Sequence, residues 1–561
     1  MSYSNSVRAE DATPRSMLAN LPTDAATLGM SDVEAVRTWR VWLGDQGFGL
    51  DRCGVDFENR QFVIEIDSDD QQTLLESNGF TLDQMWTDPA DEASPRGSID
   101  PQYYDVSEIA AIIAQTVADH PAIARSFVVG TTLQGRQILG IEISDNPGAE
   151  EDEPVVLLNG LHHAREVATP HIIVDAINYL TDGYTANDAQ IVEWVQNYKT
   201  ICVPMVNPDG SARVFAGDTN HRKNVQPGCT TENNGVDINR NYPYHWGSGT
   251  AACERSGTGG SSGSSCSDAY RGSSAGSELE TQAMEALADA FHFAIAVSYH
   301  SYGRFIDYPY ACNDGNPDNR MPEHPVIDAM MRGMALAIQP VNGVTYAVNS
   351  PIAIGAVNGD DTSWYYAHKG TYPFIVEVGT SFQPAFSTVA GIVAENREGW
   401  KYLYDRLGQA RIDVHVRSQC VPIEAQVTLL NYSFDTDELP RTTFLPFGRW
   451  TYIVPPNAAY TVRVSKTGYV TQDVVVNVAG APVGLDVNLV PVTAPAILSG
   501  DMDNSCAVDA ADVALFVTAY LEGAAAPPAL IPRGDFTADC LIDEADVAPF
   551  VQAVLDGHVC D

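Results

Sequence analysis

The sequence has little positive charge and no long apolar run. Its 561 residues carry 31 Lys and Arg against 73 Asp and Glu, which gives a net charge of −42. Nucleic acids and anionic membranes bind basic surfaces, so both kinds of partner are disfavoured. No run of about 18 apolar residues occurs, so no membrane-spanning helix is expected. No signal peptide is visible either, because the N-terminal region has no apolar core of about 7–15 residues.

Cysteine pairs of the C-x-x-C type are also absent, although the chain has ten cysteines. Their absence disfavours a thiolate zinc site and a thioredoxin-like motif. An even number of cysteines in an acidic chain favours disulfides and an oxidising compartment. We therefore predict an extracellular or secreted protein. Non-standard export, a misplaced start codon and a cytosolic location are the alternatives.

The length predicts several domains, since a typical domain has about 150 residues. Residues 1–30 are polar and aperiodic, and we interpret them as a flexible tail. Residues 31–97 combine a helical pattern with the alternating strand QFVIEI, which indicates a small α+β unit, either a pro-region or a packing unit. The other predicted divisions are residues 98–410, 411–492, 493–498 and 499–561.

Residues 98–410 alternate apolar strands with amphipathic helices. Strands such as PVVLLNG, TICVPMV, AIAVSYH and PFIVEVG indicate a buried, mixed and largely parallel sheet with helices on both faces, an α/β fold. The first helix is predicted from Ser107, its N-cap, to about Val117. In residues 411–492, short alternating runs between turn residues predict a small antiparallel β-sandwich, and residues 493–498 are predicted as a linker.

A metal-binding pattern follows the strand PVVLL. His163 and Glu166 have the spacing H-x-x-E, which can aim both side chains at one ion. A catalytic zinc takes three protein ligands plus water, and two histidines with one glutamate are a known set. The active sites of such sheets gather at the carboxyl ends of strands. His300, which ends the strand AIAVSYH, is therefore predicted as the third ligand.

Further motifs occur in a set order, and together they resemble the zinc metallocarboxypeptidases of the A, B and T types. The resemblance covers residues 100–410, more than half of the chain, and implies a mixed α/β sheet and zinc-dependent hydrolysis of the last peptide bond. The matching motifs are HARE (163–166), NPDG (207–210), HRKN (221–224), GVDINRN (235–241), YRG with SELE (270–280), HSYG (300–303) and FIVEVG (374–379).

The resemblance implies a catalytic role for five residues. His163, Glu166 and His300 would bind one zinc ion. Asp237 would accept a hydrogen bond from the outer nitrogen of one zinc-binding imidazole. Glu377 matches the general base, which takes a proton from the attacking water and hands it to the leaving amine. The alternative for Glu377 is a buried, ion-paired carboxylate.

The resemblance also implies how the substrate is held. Arg222 matches the residue that polarises the scissile carbonyl, although a surface arginine is the alternative. Asn239 and Arg240 match the pair that binds the terminal carboxylate, and Arg165 would line the same channel. This contact makes the enzyme an exopeptidase for peptides with free C-termini. His162 is expected to pack beside His163 rather than to bind zinc.

Substrate specificity is predicted from the residues before Trp364. A family tyrosine that covers the bound substrate is replaced by Gly355. Thr362 is neutral at the position that distinguishes A-type from B-type enzymes, whereas Asp360, two residues earlier, offers a carboxylate. This arrangement is similar to that of the T-type enzymes. This arrangement implies that apolar and basic terminal residues are both accepted. A solvent-facing Asp360 is the alternative.

The resemblance extends to a disulfide and to the sandwich. Cys229 and Cys266 match the family disulfide that closes the loop carrying Asn239 and Arg240. Residues 411–492, with PIEAQVTLL and YTVRVSKTGY, resemble the transthyretin-like modules that follow carboxypeptidase domains. Nothing in this module is predicted to be catalytic.

Two acidic segments repeat in residues 499–561: DMDNSCAVDAAD (501–512) and DFTADCLIDEAD (535–546), each followed by a helical apolar stretch. In a calcium loop, oxygen ligands come from positions 1, 3, 5, 7, 9 and 12. The two loops predict two calcium ions, and an acidic solvated tail is the alternative. The candidate side-chain ligands are Asp501, Asp503, Ser505, Asp509 and Asp512 in the first loop, and Asp535, Thr537, Asp539, Asp543 and Asp546 in the second.

This duplication resembles a dockerin module, including the Asp at position 12. The glycine of position 6 is replaced by Cys506 and Cys540, which either weaken calcium binding or pair with each other. A dockerin normally binds a cohesin, so a cohesin-like partner outside this chain is implied. The competing functions for the whole chain are hydrolysis of cell-wall peptides by the same apparatus and a calcium-dependent scaffold or adhesion protein without catalysis.

Overall fold

The chain divides into two compact units, Met1–Tyr404 with Thr436–Glu438, and Asp405–Asp435 with Leu439–Asp561. The finer domain boundaries and the predicted linker, which lies outside the described residues, stay predictions. Nowhere in the described ranges does a helix have the length and apolar character needed to cross a membrane. The computed structural model describes residues 15–21, 39, 42–43, 46, 50–56, 61–66, 69–84, 98–229, 234–247, 261–310, 321–343, 346–348, 357–434, 438–492, 499–527, 529–537 and 539–558.

The N-terminal part of the first unit contains a four-stranded antiparallel sheet of order β2-β3-β1-β4 and the helix Asp69–Ser77. The prediction of a flexible tail is wrong for β1, which pairs with both β3 and β4. The hydrogen bonds of such a short strand come from partners distant in sequence, so six residues alone give no periodic signal. The elements are β1 (Arg15–Asn20), β2 (Leu50–Asp56), β3 (Gln61–Ile66), α1 (Asp69–Ser77) and β4 (Thr81–Gln84).

The first unit also contains a mixed eight-stranded sheet of order β11-β10-β12-β9-β7-β8-β6-β5. The four central strands, β12, β9, β7 and β8, are parallel and buried throughout, whereas β5, β6 and β10 pair antiparallel. The strands are β5 (Ala124–Thr131), β6 (Gln137–Ile143), β7 (Val155–Gly160), β8 (Lys199–Val203), β9 (Phe293–Ser301), β10 (Phe305–Asp307), β11 (Ala347–Val348) and β12 (Tyr372–Val378).

The helices of this sheet follow the apolar periodicity of the sequence, and their ends follow local capping. The first of them begins one residue before the prediction, because Asp105 rather than Ser107 is its N-cap. The Asp105 carboxylate accepts from the backbone N–H of Glu108, whose side chain accepts from the Asp105 N–H. The helices are α2 (Val106–Asp119), α3 (Thr169–Thr185), α4 (Ala189–Asn197), α5 (Pro208–Phe215), α6 (Leu279–Phe291), α7 (His324–Asn342), α8 (Asp361–Trp364) and α9 (Phe386–Leu407).

Two small sheets of the second unit share one buried apolar core. Side chains of the first strand, Arg411–Ser418, alternate between half-buried and buried positions, as its sequence predicts. The prediction of purely antiparallel pairing is wrong at one place, because β13 pairs with β19 in parallel. The strands are β13 (Arg411–Ser418), β14 (Val421–Pro422), β15 (Gln426–Leu429), β16 (Arg449–Ile453), β17 (Ala458–Ser465), β18 (Gln472–Val478) and β19 (Val483–Asn488).

The C-terminal part of the second unit is helical. Its two longer helices pack through Phe516 and Phe550, whose rings stack with their centroids 3.8 Å apart. Each of these helices follows one of the acidic segments, so the sequence repeat is also a structural repeat. The helices are α10 (Asp512–Glu522), α11 (Ile531–Gly534) and α12 (Glu544–Asp556).

Candidate active site

The candidate site lies at the edge of the main sheet where β7, β9 and β12 end. The chain leaves β7 through Leu161, whose left-handed backbone (φ 57°) is strained for a branched side chain. The buried turn that follows carries His163 and Glu166. His300 lies on β9 beside Glu377 on β12. Ends of neighbouring parallel strands therefore bring these four residues together.

Three of these residues form a compact group, the metal-binding group, whose donor atoms could hold one ion. His163 Nδ1 lies 2.7 Å from Glu166 Oε1, and His300 Nδ1 lies 3.1 Å from Glu166 Oε2. The two Nδ1 atoms are 3.1 Å apart. Tetrahedral zinc with bonds of 2.0–2.1 Å would space its ligand atoms about 3.3 Å apart, so the donor set fits this ion. Burial opposes ionisation of Glu166, but the two imidazoles outweigh it and hold the pKa of this carboxyl well below its usual range.

Asp237 supports the group from outside. Its Oδ1 lies 3.1 Å from His163 Nε2, and its Oδ2 accepts from the Arg222 Nε–H at 3.0 Å. Burial opposes ionisation of Asp237, but Arg222 and Arg240 outweigh it and hold the pKa of the carboxyl well below its usual range. The carboxylate is therefore ionised and can hold the His163 imidazole with Nδ1 free for a metal.

The residues predicted to hold the substrate lie around this group. Arg222 Nη1 is 3.8 Å from Glu166 Oε1. Asn239 directs its amide nitrogen at His300 Nε2, 3.3 Å away, and Arg240 donates to the Asn239 carbonyl. Arg165 stacks on the Phe382 ring, 3.9 Å from its centroid. In this structure, Asn239 thus faces a histidine rather than an open channel.

Glu377 is almost fully buried, with an exposed fraction of 4%. Its register partners are His300 on β9 and Phe305 on β10. Paired positions on adjacent strands project to the same face of a sheet, so the carboxylate belongs to the face that carries the metal-binding group. The position agrees with the role of a base beside a metal ion.

A second group, His162, His300 and Asp361, is also close enough to offer three ligand atoms. His162 Nε2 already lies 3.1 Å from the Tyr242 hydroxyl and 3.7 Å from Asp361 Oδ2. Burial lowers the pKa of His162 to about 4, so this imidazole is neutral near pH 7. His162 packs in the interior, as predicted, and protein contacts already occupy it.

Asp360 and Thr362 begin the short helix α8. Asp360 Oδ1 accepts from the Ser363 N–H at 2.9 Å and from the Thr362 hydroxyl at 2.8 Å. The alternative that Asp360 faces solvent is wrong, because its side chain is fully buried. Its Oδ2 has no hydrogen-bond partner in the described part of the chain. Gly355, the replacement of the family tyrosine, lies outside the described residues.

Several site residues carry no sequence signal. Ser298 and Tyr242 contact the histidines, and Asn159 accepts a hydrogen bond from the Ser298 hydroxyl. The Asp361 N–H donates to Asn239 Oδ1. Two of them, Asn159 and Ser298, face each other on neighbouring strands, so only knowledge of the strand register could have identified them. The Cys229–Cys266 disulfide that the resemblance implied is confirmed.

The two acidic loops have the same internal hydrogen bonds. Asp512 Oδ1 accepts from the backbone N–H of Met502 and Asp503, and its Oδ2 accepts from Asp509. Asp546 makes the three equivalent bonds in the second loop. Two triads of carboxylates come close enough to hold a cation: Asp501, Asp503 and Asp512, and Asp535, Asp539 and Asp546.

Position 6 of each loop keeps a glycine-like backbone although it holds a cysteine. Cys506 and Cys540 have φ angles of 66° and 68°, in the left-handed region. The alternative that these two cysteines pair with each other is wrong. Cys540 is bonded to Cys420, which immediately precedes β14.

A family model described as zinc carboxypeptidase matches residues 109–400. The chain is 34% identical over 215 residues to the zinc carboxypeptidase of Saccharothrix mutabilis subsp. capreolus, covering 36% of this chain and 48% of that protein. It is 27% identical over 281 residues to carboxypeptidase B of Astacus astacus, covering 49% and 86%. The chain thus spans about half the length of some curated relatives that it matches.

A solved structure has the same fold. The crystal structure of carboxypeptidase A from Helicoverpa armigera aligns with a TM-score of 0.56 and 22% identity, covering 71% of this chain and 97% of that one. At this identity, the likeness concerns the fold alone.

Proposed function

This chain belongs to the zinc carboxypeptidase family, and on that premise we propose that it hydrolyses the last peptide bond of peptides or proteins. The convergence of His163, Glu166 and His300 carries this proposal, because their donor atoms suit one zinc ion and their outer contacts leave both Nδ1 atoms turned inward. When bound, zinc would polarise the scissile carbonyl and lower the pKa of a water molecule.

Glu377 is the proposed general base. Its carboxylate accepts a proton from the attacking water and delivers it to the nitrogen of the scissile bond. The amine product therefore leaves without a negative charge on its nitrogen. The position beside His300 on the adjacent strand supports this role. Burial in the sheet edge restricts the carboxylate to a narrow range of positions near the reacting atoms.

Arg222, Asn239, Arg240 and Arg165 are proposed to hold the substrate. The concentration of guanidinium groups at this edge favours a ligand that brings a carboxylate, because planar guanidinium groups pair with carboxylates through two hydrogen bonds. Asn239 and Arg240 form the proposed carboxylate clamp. Arg240 is buried and donates to the backbone carbonyl of Asn239, and both residues belong to the 3₁₀ turn Ile238–Arg240. A free peptide C-terminus supplies the matching charge.

One experiment tests the proposal. The purified chain should contain one zinc per molecule and should hydrolyse a peptide with a free C-terminus but not its amidated form. A cell-wall peptide in the same assay tests the alternative substrate. A chain with zinc but no activity on any peptide would favour the scaffold function, and a chain without zinc would overturn the proposal.

We propose further that apolar and basic terminal residues are both removed. Asp360 Oδ2, buried without a partner among the described residues, supports this, since a lysine or arginine side chain could pair with it. Thr362 leaves the neighbouring position neutral. Asp360→Asn keeps the helix cap, so it should lower activity on Lys and Arg ends and spare Phe and Leu ends. Equal loss on both classes would contradict this specificity.

The C-terminal part is proposed to be a dockerin-like module that binds two calcium ions and a cohesin-like partner. The matched hydrogen bonds of the two loops and the carboxylate triads support calcium. The exposed apolar side chains of α10 and α12 support a partner surface; they are Val513, Val517, Leu521, Val551 and Leu555. We also propose that residues 411–492 form a transthyretin-like module and that the protein is extracellular, as its disulfides favour.

A further inference from the structure

The outer nitrogen of His300 contacts two side chains, of which only one can accept a hydrogen bond. Nε2 lies 3.2 Å from Ser298 Oγ and 3.3 Å from Asn239 Nδ2. The side-chain oxygen of Asn239, Oδ1, is already used, since it accepts from the Asp361 N–H at 2.9 Å. The amide that faces His300 is therefore the NH₂ group, which can only donate.

We infer that Ser298 is a positioning residue for the zinc ligand His300, an inference that rests on the proposed function. Its hydroxyl oxygen accepts a hydrogen bond from the His300 Nε2–H. The Nδ1 atom then carries no proton, and its lone pair can be directed at the metal. Ser298 and His300 are two positions apart on β9, so their side chains lie on the same face of the sheet. Ser298 is 2% exposed, so water does not compete for this bond.

The Ser298 hydroxyl also has an acceptor for its own hydrogen bond. Asn159 is the register partner of Ser298 on β7, and its Oδ1 accepts from the hydroxyl at 3.2 Å. The Asn159 Nδ2 in turn donates to the Val297 carbonyl. His162 Nδ1, 3.4 Å from Ser298 Oγ, is a longer alternative acceptor. In either case the hydroxyl donates away from His300 and turns a lone pair toward it.

The two zinc-binding imidazoles are thus supported differently. His163 has the ionised carboxylate of Asp237 at its outer nitrogen, whereas His300 has a neutral hydroxyl. A carboxylate increases the basicity of its imidazole more than a hydroxyl does. The contribution of Ser298 is therefore the choice of tautomer and ring orientation rather than added charge.

The test is zinc affinity, measured by chelator competition on the full chain. Loss of a residue that supports a zinc ligand typically weakens metal binding about 10- to 100-fold. We expect Ser298→Ala to show a weakening of this order and Ser298→Thr, which keeps a hydroxyl, to lie between it and wild type. Ser211→Ala is the matched control, because the buried Ser211 hydroxyl has no hydrogen-bond partner among the described residues.

The unfolding midpoints of the metal-free variants separate positioning from packing. We expect similar midpoints for Ser298→Ala and Ser211→Ala, with weakened zinc binding in the former alone. Zinc binding by Ser298→Ala within twofold of wild type, or equal weakening in both alanine variants, would overturn the inference and leave the proposed function standing. A wild-type chain that takes up no zinc would overturn both.

Discussion

The metal-binding group of the first unit and the acidic loops of the second are built in opposite ways. His163 and His300 are 137 positions apart, and both are buried. Each acidic loop draws its candidate ligands from 12 consecutive residues, and Asp503 and Asp539 are exposed. The first group is assembled by neighbouring strands, whereas each loop is organised by its own backbone N–H groups.

This difference determines what each site costs to form. Burying a carboxylate and two imidazoles is unfavourable unless they are paired, so the fold surrounds them with Asp237, Ser298 and other polar partners. The loops leave several carboxylates exposed, and both bury the position-12 residue, Asp512 or Asp546; the first loop also buries Asp501. We therefore expect the buried group to be set before metal binds, and the loops to respond to metal.

The largest expected effect tests whether metal binding and catalysis at the buried site depend on different residues. Glu377→Gln should reduce turnover by about 10²–10⁴-fold, because the amide cannot accept a proton from water. Zinc content should stay at the wild-type level, since the three ligands are unchanged. Steady-state kinetics with metal analysis checks both results. A near-normal rate would mean that another group is the base.

Glu280, near the N-terminus of α6, tests how much the burial of a carboxylate lowers the free energy of unfolding. Burial raises the pKa of Glu280 to about 7, against hydrogen bonding from Asn224 and with the help of nearby Glu278. The unfolded state loses this proton near pH 4.5, so the free energy of unfolding should fall as pH rises toward 7, by on the order of 3 kcal/mol.

Glu280→Gln should remove this fall, which denaturant unfolding at pH 5 and pH 8 can measure. Glu193→Gln, at an exposed position, is the control and should keep the wild-type slope. We expect no such fall in the free energy of unfolding from the exposed carboxylates of the acidic loops, because they are solvated in both states. If both variants keep the fall in stability, Glu280 ionises without the expected cost.

The next effect concerns the clamp. Arg240→Ala should reduce the preference for free over amidated C-termini about 10- to 100-fold, because hydrogen bonds to charged groups are worth about 1.5–3 kcal/mol. The ratio of kcat/KM for the two peptides measures it. Arg271→Ala, which removes an arginine near Trp246, is the control. An unchanged ratio would assign the carboxylate to other residues.

The smallest expected effect lies in the loops. Asp512→Asn removes a charge from the first loop and should weaken calcium binding there about tenfold, since affinity depends on the charge of the ligands. The second loop should titrate as before, and Asp546→Asn should give the reciprocal result. Calorimetric titration of the full chain can separate the two sites. A flat wild-type titration would favour the acidic-tail alternative.

Local patterns in the sequence predicted more than distant ones. The strands and helices of the main sheet, the H-x-x-E pair and the twelve-residue loops are visible within short windows. The position of His300 at a strand end made it a candidate ligand, and the family resemblance supplied Glu377 and the Cys229–Cys266 pair. By contrast, Ser298 matters only because β9 places it between His300 and Asn159.

The failures have the same physical origin. β1 exists because β3 and β4 pair with it, and Asp105, not the predicted Ser107, caps α2 through reciprocal hydrogen bonds with Glu108. Pairing of Cys540 with Cys420 joins segments 120 positions apart, which spacing alone does not indicate. Each of these features depends on contacts between segments or on the choice between neighbouring residues.

The Cys420–Cys540 bond closes residues 420–540 into a covalent ring. Residues 493–498, the predicted linker, lie within the chain that this bond closes. A protease that cuts the linker once would therefore produce a two-chain molecule, with the acidic loops still attached to the small sheets. After such a cut, reduction of the Cys420–Cys540 bond is needed to release them, so the attachment of the C-terminal part then depends on the redox state of its surroundings.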